Sequence, residues 1–271
     1  MAVFDGTSKW TALLALVYKA LTTTQHHILL LFPMLVWLCL YEFTWFIPPD
    51  MRPVIDVSTL PAVESFFFGS AYLFEYMPIN GALLYLTATP YLIHFIMPWT
   101  YAVFLFLIDA KPFTFLWHFG VLNLLAVITH VIFPTAPPWY NWKFGMVPAA
   151  YEIEGQPARF VYFDELVETS VFGGLYGQSP LVFGSFPSMH AAWPFLIALY
   201  STYLSLPYYR LQWLYMLWVW FAAVYSAHHF LIDLIGGGVY TLVALFISTH
   251  YLNFDINLMK RPATGRRSQI K

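Results

Sequence analysis

The chain has 271 residues, of which 60% are hydrophobic, 21% aromatic and only 10% charged. A soluble domain usually carries about 25% charged residues, and a net charge of −2 gives no support to nucleic-acid binding. The single cysteine, Cys39, excludes an intramolecular disulfide. Length and composition together predict one helical membrane domain.

Two early segments are predicted to lie at the membrane surface without crossing it. Residues 10–21 are apolar but too short to span, with Lys9 just before them and Lys19 within them, which is typical of a surface-lying helix. Residues 58–76 are aromatic but contain Glu64 and Glu75, so we interpret this segment as interfacial.

Six segments are long and apolar enough to span a bilayer, which requires about 20 mostly apolar residues. They are residues 27–46, 79–108, 113–133, 187–204, 210–227 and 232–252. Pro90 and Pro98 predict kinks or a break in the second segment. We therefore predict an all-α membrane protein with a six-helix transmembrane catalytic domain over 27–252. An interfacial segment, 1–26, precedes this domain, and a basic tail, 253–271, follows it.

The distribution of basic residues predicts the orientation of this bundle. With six spans, one face receives both termini and two short turns, and nine of the twelve Lys and Arg residues fall there. The other face receives the long loops 47–78 and 134–186, which carry only Arg52, Lys143 and Arg159. Because cytoplasmic segments carry the Lys and Arg excess, both termini are predicted to be cytoplasmic and both long loops to lie outside.

Two histidine motifs occur at the ends of predicted spans. Residues 186–190 read Phe-Pro-Ser-Met-His, and residues 226–233 read Ser-Ala-His-His-Phe-Leu-Ile-Asp. The six-span topology puts His190, His229 and Asp233 on the same outer face. Ionisable residues at membrane depth are costly, so these three are candidates for chemistry.

The spacing of these residues suits nucleophilic catalysis. His229 and Asp233 are four residues apart, which puts them on one face of a helix. A carboxylate bonded to one ring nitrogen fixes the tautomer and makes the other nitrogen more basic, as in a nucleophile or a base. His190, a second imidazole without its own carboxylate, suits a general acid.

The loop before His190 is predicted to bind phosphate. Gly184, Ser185 and Ser188 precede a helix, where small residues and free N–H groups favour an anion. The other histidines have a structural interpretation. We expect inter-helix hydrogen bonds for three of them and a side chain facing away from the site for the fourth. These four are His94, His118, His130 and His228.

The histidine motifs resemble those of a known family. Pro-Ser-x-His at 187–190 and His-x-x-x-Asp at 229–233 resemble the second and third motifs of the type 2 phosphatidic acid phosphatase and haloperoxidase superfamily. Three longer stretches resemble its fungal inositol phosphorylceramide synthase branch, the aureobasidin target. These are residues 133–140, 183–190 and 228–234, and the similarity runs from about residue 122 to residue 238.

The resemblance implies a role for each residue. His229 would attack phosphorus and form a phosphohistidine, Asp233 would orient it, and His190 would protonate the leaving alkoxide and later deprotonate the incoming hydroxyl. In the synthase branch the donor is phosphatidylinositol, the acceptor is the ceramide hydroxyl, and diacylglycerol leaves. The resemblance also implies a multi-pass bundle with a lumenal site, in the Golgi. We expect no cofactor and no metal, and no partner subunit can be read from the sequence.

One departure from the superfamily pattern bears on the substrate. Ala222 and Ala223 stand where the third motif would carry Ser-Arg, and the Lys-x6-Arg-Pro run of the first motif does not occur. A phosphate monoester carries about two charges near neutral pH and favours a cationic cage, whereas a diester carries one. The departure therefore favours head-group transfer from a diester. Lys143 and Arg159 are the candidates to replace the missing cations as substrate ligands.

Three alternatives stay open at this level. A lipid phosphate phosphatase would use the same histidines with water as acceptor. A proton-coupled transporter would carry ionisable residues along the bundle, not clustered at one face. His190, His229 and Asp233 are also plausible metal ligands, which inhibition by chelators would reveal.

Overall fold

The computed structural model describes residues 29–250, and the fold in this range is all-helical. The predicted surface helix at 10–21 and the basic tail at 253–271 lie outside the described residues. The ten α-helices are α1 Leu29–Phe46, α2 Thr59–Phe68, α3 Gly81–Leu107, α4 Pro112–Ile132, α5 Pro138–Phe144, α6 Val161–Leu166, α7 Val171–Gly177, α8 Met189–Tyr203, α9 Tyr209–Tyr225 and α10 Leu231–His250. Short 3-10 turns include Leu73–Tyr76 and Ala158–Phe160.

Helices occupy all six of the segments that were predicted to span. Four of them, α1, α3, α4 and α10, are long and apolar enough to cross a membrane. The other two, α8 and α9, have 15 and 17 residues, which at 1.5 Å per residue gives about 22 and 25 Å against a hydrocarbon core of about 30 Å. The six-span count therefore stays a prediction. The predicted interfacial segment contains only the ten-residue α2 and one 3-10 turn.

The bundle is arranged around α8, which packs against α3, α4, α9 and α10. Tyr91 stacks on His190 and the hydroxyl of Tyr101 lies 3.0 Å from that of Ser201, so α3 and α8 run parallel. Along α4 and along α9, the residues that contact α8 follow the opposite order, so both helices run antiparallel to α8. This alternation brings both long loops to the end of the bundle that carries the histidine motifs.

The long loops are tied together at that end by backbone hydrogen bonds. Thr135 forms isolated bridges with Asp56 and with Gly184, so three separate segments run side by side there, although the described residues contain no β-strand. The N–H of Asp56 donates to the Pro134 carbonyl at 2.9 Å, and that of Thr135 donates to the Phe183 carbonyl at 2.7 Å. The segment before α8 is thereby held against the rest of the loop layer.

Helix α3 is continuous through both prolines, so the break considered from sequence does not occur. Proline at position 90 removes the N–H that would bond the carbonyl of Leu86. The indole N–H of Trp218 on α9 donates to that carbonyl at 2.7 Å, and the hydroxyl of Tyr215 donates to the Pro90 carbonyl at 3.0 Å. The Trp218 indole thus replaces the hydrogen bond that the helix loses at Leu86, as an apolar environment requires, and Tyr215 adds a second polar contact between α9 and α3.

Replacing Trp218 with Phe should destabilise the protein by about 1–2 kcal/mol, because the Leu86 carbonyl loses its donor in an apolar environment. Thermal unfolding in detergent measures the change. Trp99→Phe is the matched control, since Trp99 has similar exposure (40% against 37%) and its indole makes no hydrogen bond within residues 29–250. Equal loss in the two variants would contradict the role of the indole N–H.

Candidate active site

The two histidine motifs meet at the loop end of the bundle. His190 is the second residue of α8, and His229 lies in the turn between α9 and α10. Nδ1 of His190 is 3.0 Å from Nε2 of His229. Two ring nitrogens at this distance require that one donates a proton and the other accepts it. The structure therefore brings together the two imidazoles that the sequence analysis placed opposite each other.

The surroundings of His229 determine which of its nitrogens is nucleophilic. Its Nδ1 lies 3.1 Å from the carbonyl oxygen of Ser185 and 3.5 Å from Oδ2 of Asp233. A carbonyl oxygen only accepts hydrogen bonds, so Nδ1 carries the proton. The lone pair of neutral His229 is then on Nε2, which faces His190.

Asp233 supports this arrangement mainly through the loop. Its Oδ2 accepts a hydrogen bond from the Ser185 hydroxyl at 2.7 Å and from the N–H of Phe230 at 2.9 Å, both shorter than the 3.5 Å to His229. The carboxylate is fully buried, and its Oδ1 has no hydrogen-bond partner among the described residues. Ser185, expected as a substrate ligand, therefore uses its hydroxyl to hold Asp233 and its carbonyl to hold His229.

The loop N–H groups that the sequence analysis took to be free are paired within the protein. Four of these N–H groups donate to oxygen atoms of the protein, namely those of Gly184, Ser185, Phe186 and Ser188. Their acceptors include the backbone and hydroxyl oxygens of Thr135 and the carbonyl of Asp233. The hydroxyl of Ser188 accepts from the N–H of Ala191 and caps α8. The expectation of free N–H groups is thus corrected for these four residues, because Leu181, Thr135 and Asp233 supply the acceptors.

Of the two cations expected as substrate ligands, Arg159 is buried in other contacts and Lys143 is exposed. Arg159 is 5% exposed; its guanidinium donates to the carbonyls of Phe74 and Met77, the latter at 2.8 Å, and packs 4.5 Å from the centroid of the Tyr225 ring. Burial lowers the pKa of Arg159. Lys143 is exposed in α5. Neither side chain lines the cavity at His190 and His229.

A cavity of about 320 Å³ opens beside the histidine pair. Its wall includes Gly184 and Ser185 from the predicted loop, and within residues 29–250 no Lys or Arg contributes to it. Most of the rest is aromatic or aliphatic, for example Trp37, Phe95, Val127, Trp139 and Trp193. The cavity therefore suits an apolar ligand whose reacting group carries little negative charge.

The comparison with known families agrees with these motifs. A family model described as the PAP2 superfamily matches residues 62–247, which include α3, α4, α8, α9 and both histidine motifs. The chain belongs to the PAP2 superfamily. The resemblance inferred from the two motifs is thereby confirmed over most of the described range.

Curated relatives of this PAP2 protein carry a more specific name. The inositol phosphorylceramide synthase of Candida albicans is 34% identical over 224 residues, which is 81% of this chain and 47% of the relative. The catalytic subunits of that name from Schizosaccharomyces pombe and Saccharomyces cerevisiae are 35% and 33% identical; they cover 86% and 83% of this chain and 56% and 57% of their own length. This PAP2 chain spans about half the length of the curated relatives it matches. No solved structure matches it significantly.

Three of the histidines interpreted as structural also line the cavity of this PAP2 protein. The ring of His94 lies 4.3 Å from that of His190, and Nε2 of His130 is 3.0 Å from the Pro187 carbonyl. The position of His130 near the outer end of α4 was a signal in the sequence that it could reach the site. His118 differs, since it bonds the hydroxyl of Tyr200 as an inter-helix pair.

His228 holds a neighbouring loop in place. Its Nε2 lies 3.1 Å from the carbonyl of Gln156 and its Nδ1 lies 2.9 Å from the Ser226 hydroxyl, while its ring stacks on Tyr176 at 4.0 Å. Burial lowers the pKa of His228 to about 3, so the ring is neutral near pH 7. Because a carbonyl cannot donate, the proton is on Nε2. Tyr176 in turn places its hydroxyl 3.4 Å from Nε2 of His190.

Glu64 connects the first long loop to the helix that carries Asp233. Its carboxylate is 1% exposed and accepts hydrogen bonds from the N–H groups of Leu231 and Ile232 at 2.9 and 3.0 Å. These are the first two residues of α10, whose unpaired N–H groups need acceptors. Burial raises the pKa of Glu64, and the two N–H groups oppose that rise. In the amino-acid sequence, Glu64 indicates only that its segment does not span the membrane.

Replacing Glu64 with Gln should destabilise the protein by about 1–3 kcal/mol, because the amide NH₂ faces backbone N–H groups and leaves one of them unpaired. The midpoint of thermal unfolding in detergent measures this. Glu75→Gln is the matched control, because Glu75 is an exposed acid of the same loop. A Glu64 variant as stable as the Glu75 variant would show that the cap contributes nothing.

Proposed function

We propose that this protein is a membrane phosphotransferase that moves the phosphoinositol head group of phosphatidylinositol to the hydroxyl of ceramide, through a phosphohistidine at His229. The observation that carries the proposal is the 3.0 Å contact between Nδ1 of His190 and Nε2 of His229 beside an apolar cavity. The substrate class is supported by the names of the curated relatives, which are inositol phosphorylceramide synthases.

In the first step, Nε2 of His229 attacks phosphorus and the bond from phosphorus to the diacylglycerol oxygen breaks. His190 starts this step protonated on both ring nitrogens and gives its Nδ1 proton, which faces His229, to the departing alkoxide, so that neutral His190 remains. Phosphorus has to enter between the two rings, so the His190 ring must move outwards from its 3.0 Å contact. The Ser185 carbonyl and Asp233 hold the proton on Nδ1 of His229 and stabilise the positive ring that forms.

In the second step, His190 takes the proton of the acceptor hydroxyl. The oxygen attacks phosphorus, the bond from phosphorus to Nε2 of His229 breaks, and neutral His229 is restored. The acceptor reaches the site along the aromatic and aliphatic wall, which suits a lipid chain. No step requires a metal or a cofactor.

The composition of the cavity wall favours transfer over phosphate release. A phosphodiester carries one negative charge, whereas a monoester carries about two and calls for Arg or Lys. Within the described range, the wall around His190 and His229 contains neither residue type. A lipid phosphate phosphatase, the alternative with the same histidines, would have to bind its dianionic substrate without them.

We also propose that residues 27–252 form one catalytic domain with six spans and both termini in the cytoplasm. Support comes from α9, whose exposed side chains Leu211, Leu214, Leu217, Trp218 and Phe221 recur at helical spacing and form an apolar stripe. Such a stripe suits lipid even though α9 is short. The Lys and Arg bias supports a lumenal position for the histidines, and the resemblance to the fungal branch suggests the Golgi.

Thin-layer analysis of lipid products tests the proposed reaction. Purified protein in detergent is incubated with inositol-labelled phosphatidylinositol, with and without ceramide. We expect labelled inositol phosphorylceramide to form only when ceramide is present, together with unlabelled diacylglycerol. Rapid release of phosphate from phosphatidic acid, without head-group transfer, would identify a phosphatase instead.

A further inference from the structure

A second cavity, of about 410 Å³, adjoins the one beside the histidine pair. It lies between the end of α1, the segment at 151–154 and the segment at 179–183. Four residues line both cavities and form the partition between them: His130, Ser179, Leu181 and Val182. A ligand held at the histidines therefore lies next to the second cavity, on the other side of His130 and these three neighbours.

The two cavities differ in chemistry. The second is lined by one cation, Arg52, and by two acids, Glu152 and Glu154, together with Thr44 and Tyr151. Among residues 29–250, the first cavity has no charged side chain of these types in its wall. An acyl or sphingoid chain suits the first wall, whereas the second suits a ligand that is uncharged and rich in hydrogen bonds.

Arg52 is held in place with donors to spare. Its Nε donates to the Ile47 carbonyl at 2.9 Å, one Nη2–H donates to the Thr44 carbonyl, and the guanidinium stacks 4.8 Å from the centroid of the Tyr151 ring. The hydroxyl of Tyr151 is in turn bonded to the Pro53 carbonyl at 2.8 Å. Guanidinium has five N–H groups, so three remain without a partner among the described residues. The fork is fixed before a ligand binds, which lowers the entropic cost of binding.

We propose that this second cavity binds the polyol ring of the donor head group, an inference that rests on the proposed phosphoinositol transfer. Each hydroxyl of a polyol both donates and accepts a hydrogen bond. The spare N–H groups of Arg52 donate to ring oxygens, and the carboxylates of Glu152 and Glu154 accept from ring hydroxyls. The phosphodiester then lies at the partition, next to His130 and the histidine pair. The two acids repel a second phosphate and so favour a head group without one.

Direct binding of a soluble head group tests the assignment without depending on turnover. The probes are glycerophosphoinositol and glycerophosphoethanolamine, titrated into the full protein in detergent. We expect wild-type protein to bind the inositol probe more tightly. The double variant Glu152→Gln, Glu154→Gln should raise the Kd for glycerophosphoinositol by about ten-fold or more, because hydrogen bonds to charged groups are lost. The Kd for glycerophosphoethanolamine should stay unchanged. Glu165→Gln, at an exposed acid of α6 that lines neither cavity, is the control.

Arg52→Lys is the second variant, because it keeps the charge and removes the fork. This variant should raise the Kd for glycerophosphoinositol to a similar extent. Its unfolding temperature shows whether the end of α1 is still intact. In transfer assays, the KM for phosphatidylinositol should rise while that for ceramide stays constant. Equal affinity of wild-type protein for both probes, unchanged Kd in the double variant, or a rise in the ceramide KM alone would overturn the assignment. Selective inositol binding without any transfer would instead refute the proposed function and leave the polyol site standing.

Discussion

Replacement of His229 by alanine should reduce head-group transfer by at least about 10⁴-fold, since no other group supplies the nucleophile. The side chain is only 7% exposed, but its ring makes few bonds beyond those to His190 and the Ser185 carbonyl. We therefore expect expression and detergent extraction close to wild type. Transfer is measured as labelled inositol phosphorylceramide formed from phosphatidylinositol at saturating ceramide.

His250→Ala serves as the matched control for this variant. His250 is the last residue of α10, at the end of that helix away from the site, and should be replaceable with activity within about two-fold of wild type. Substantial turnover by the His229 variant would mean that the nucleophile is elsewhere. If the His229 and His250 variants both lose transfer activity, the cause is instability of α10.

Replacement of His190 by alanine should slow transfer from phosphatidylinositol by about 10²–10⁴-fold, the contribution of a general acid or base. The covalent step should be spared when the leaving group is good. A p-nitrophenyl phosphodiester has such a leaving group, because nitrophenolate departs without a proton. Single-turnover release of nitrophenolate, compared with release of diacylglycerol, measures the difference.

The leaving-group dependence separates acid catalysis from positioning. If His190 acts as the acid, the variant loses far more rate with the alkoxide than with nitrophenolate. If the ring only holds His229 in place across their 3.0 Å contact, both donors slow to the same extent. Wild-type activity should also fall at both low and high pH, because one imidazole must start neutral and the other protonated.

The helices, and the proximity of the two histidine motifs, could be predicted from sequence. The first depends on local hydrophobic pattern, and the second depends on how many helices separate the motifs. Runs of apolar residues locate helices, and two antiparallel helices between two sites return the chain to the same end of the bundle. For this reason the amino-acid sequence alone was enough to assign His190, His229 and Asp233 to one end of the bundle.

The support of the site could not be predicted, because it depends on contacts between residues far apart in the chain. Glu64 caps α10 across 167 positions, and Trp218 reaches the Leu86 carbonyl across 132. Neither pairing leaves a periodic signal in the sequence. Ser185 was predicted from its place in a loop before a helix, but its hydroxyl bonds Asp233 because the carboxylate is buried and needs a donor.

The basic residues near the site could not be predicted from sequence either. Lys143 and Arg159 were chosen because they lie in the loop next to the motif, yet Arg159 is committed to the carbonyls of Phe74 and Met77. Arg52, from the other long loop, lines the cavity that adjoins the site. Proximity along the chain is a poor guide where two loops cross over one end of a bundle.

The covalent intermediate is the most direct test of the account. Protein incubated with inositol-labelled phosphatidylinositol in the absence of ceramide is quenched in alkali, which preserves a phosphohistidine, and its peptides are mapped by mass spectrometry. We predict an acid-labile inositol phosphate adduct on His229 that disappears, as labelled sphingolipid, when ceramide is added before the quench. Labelled product without any adduct, or an adduct on another residue that ceramide discharges, would contradict the account.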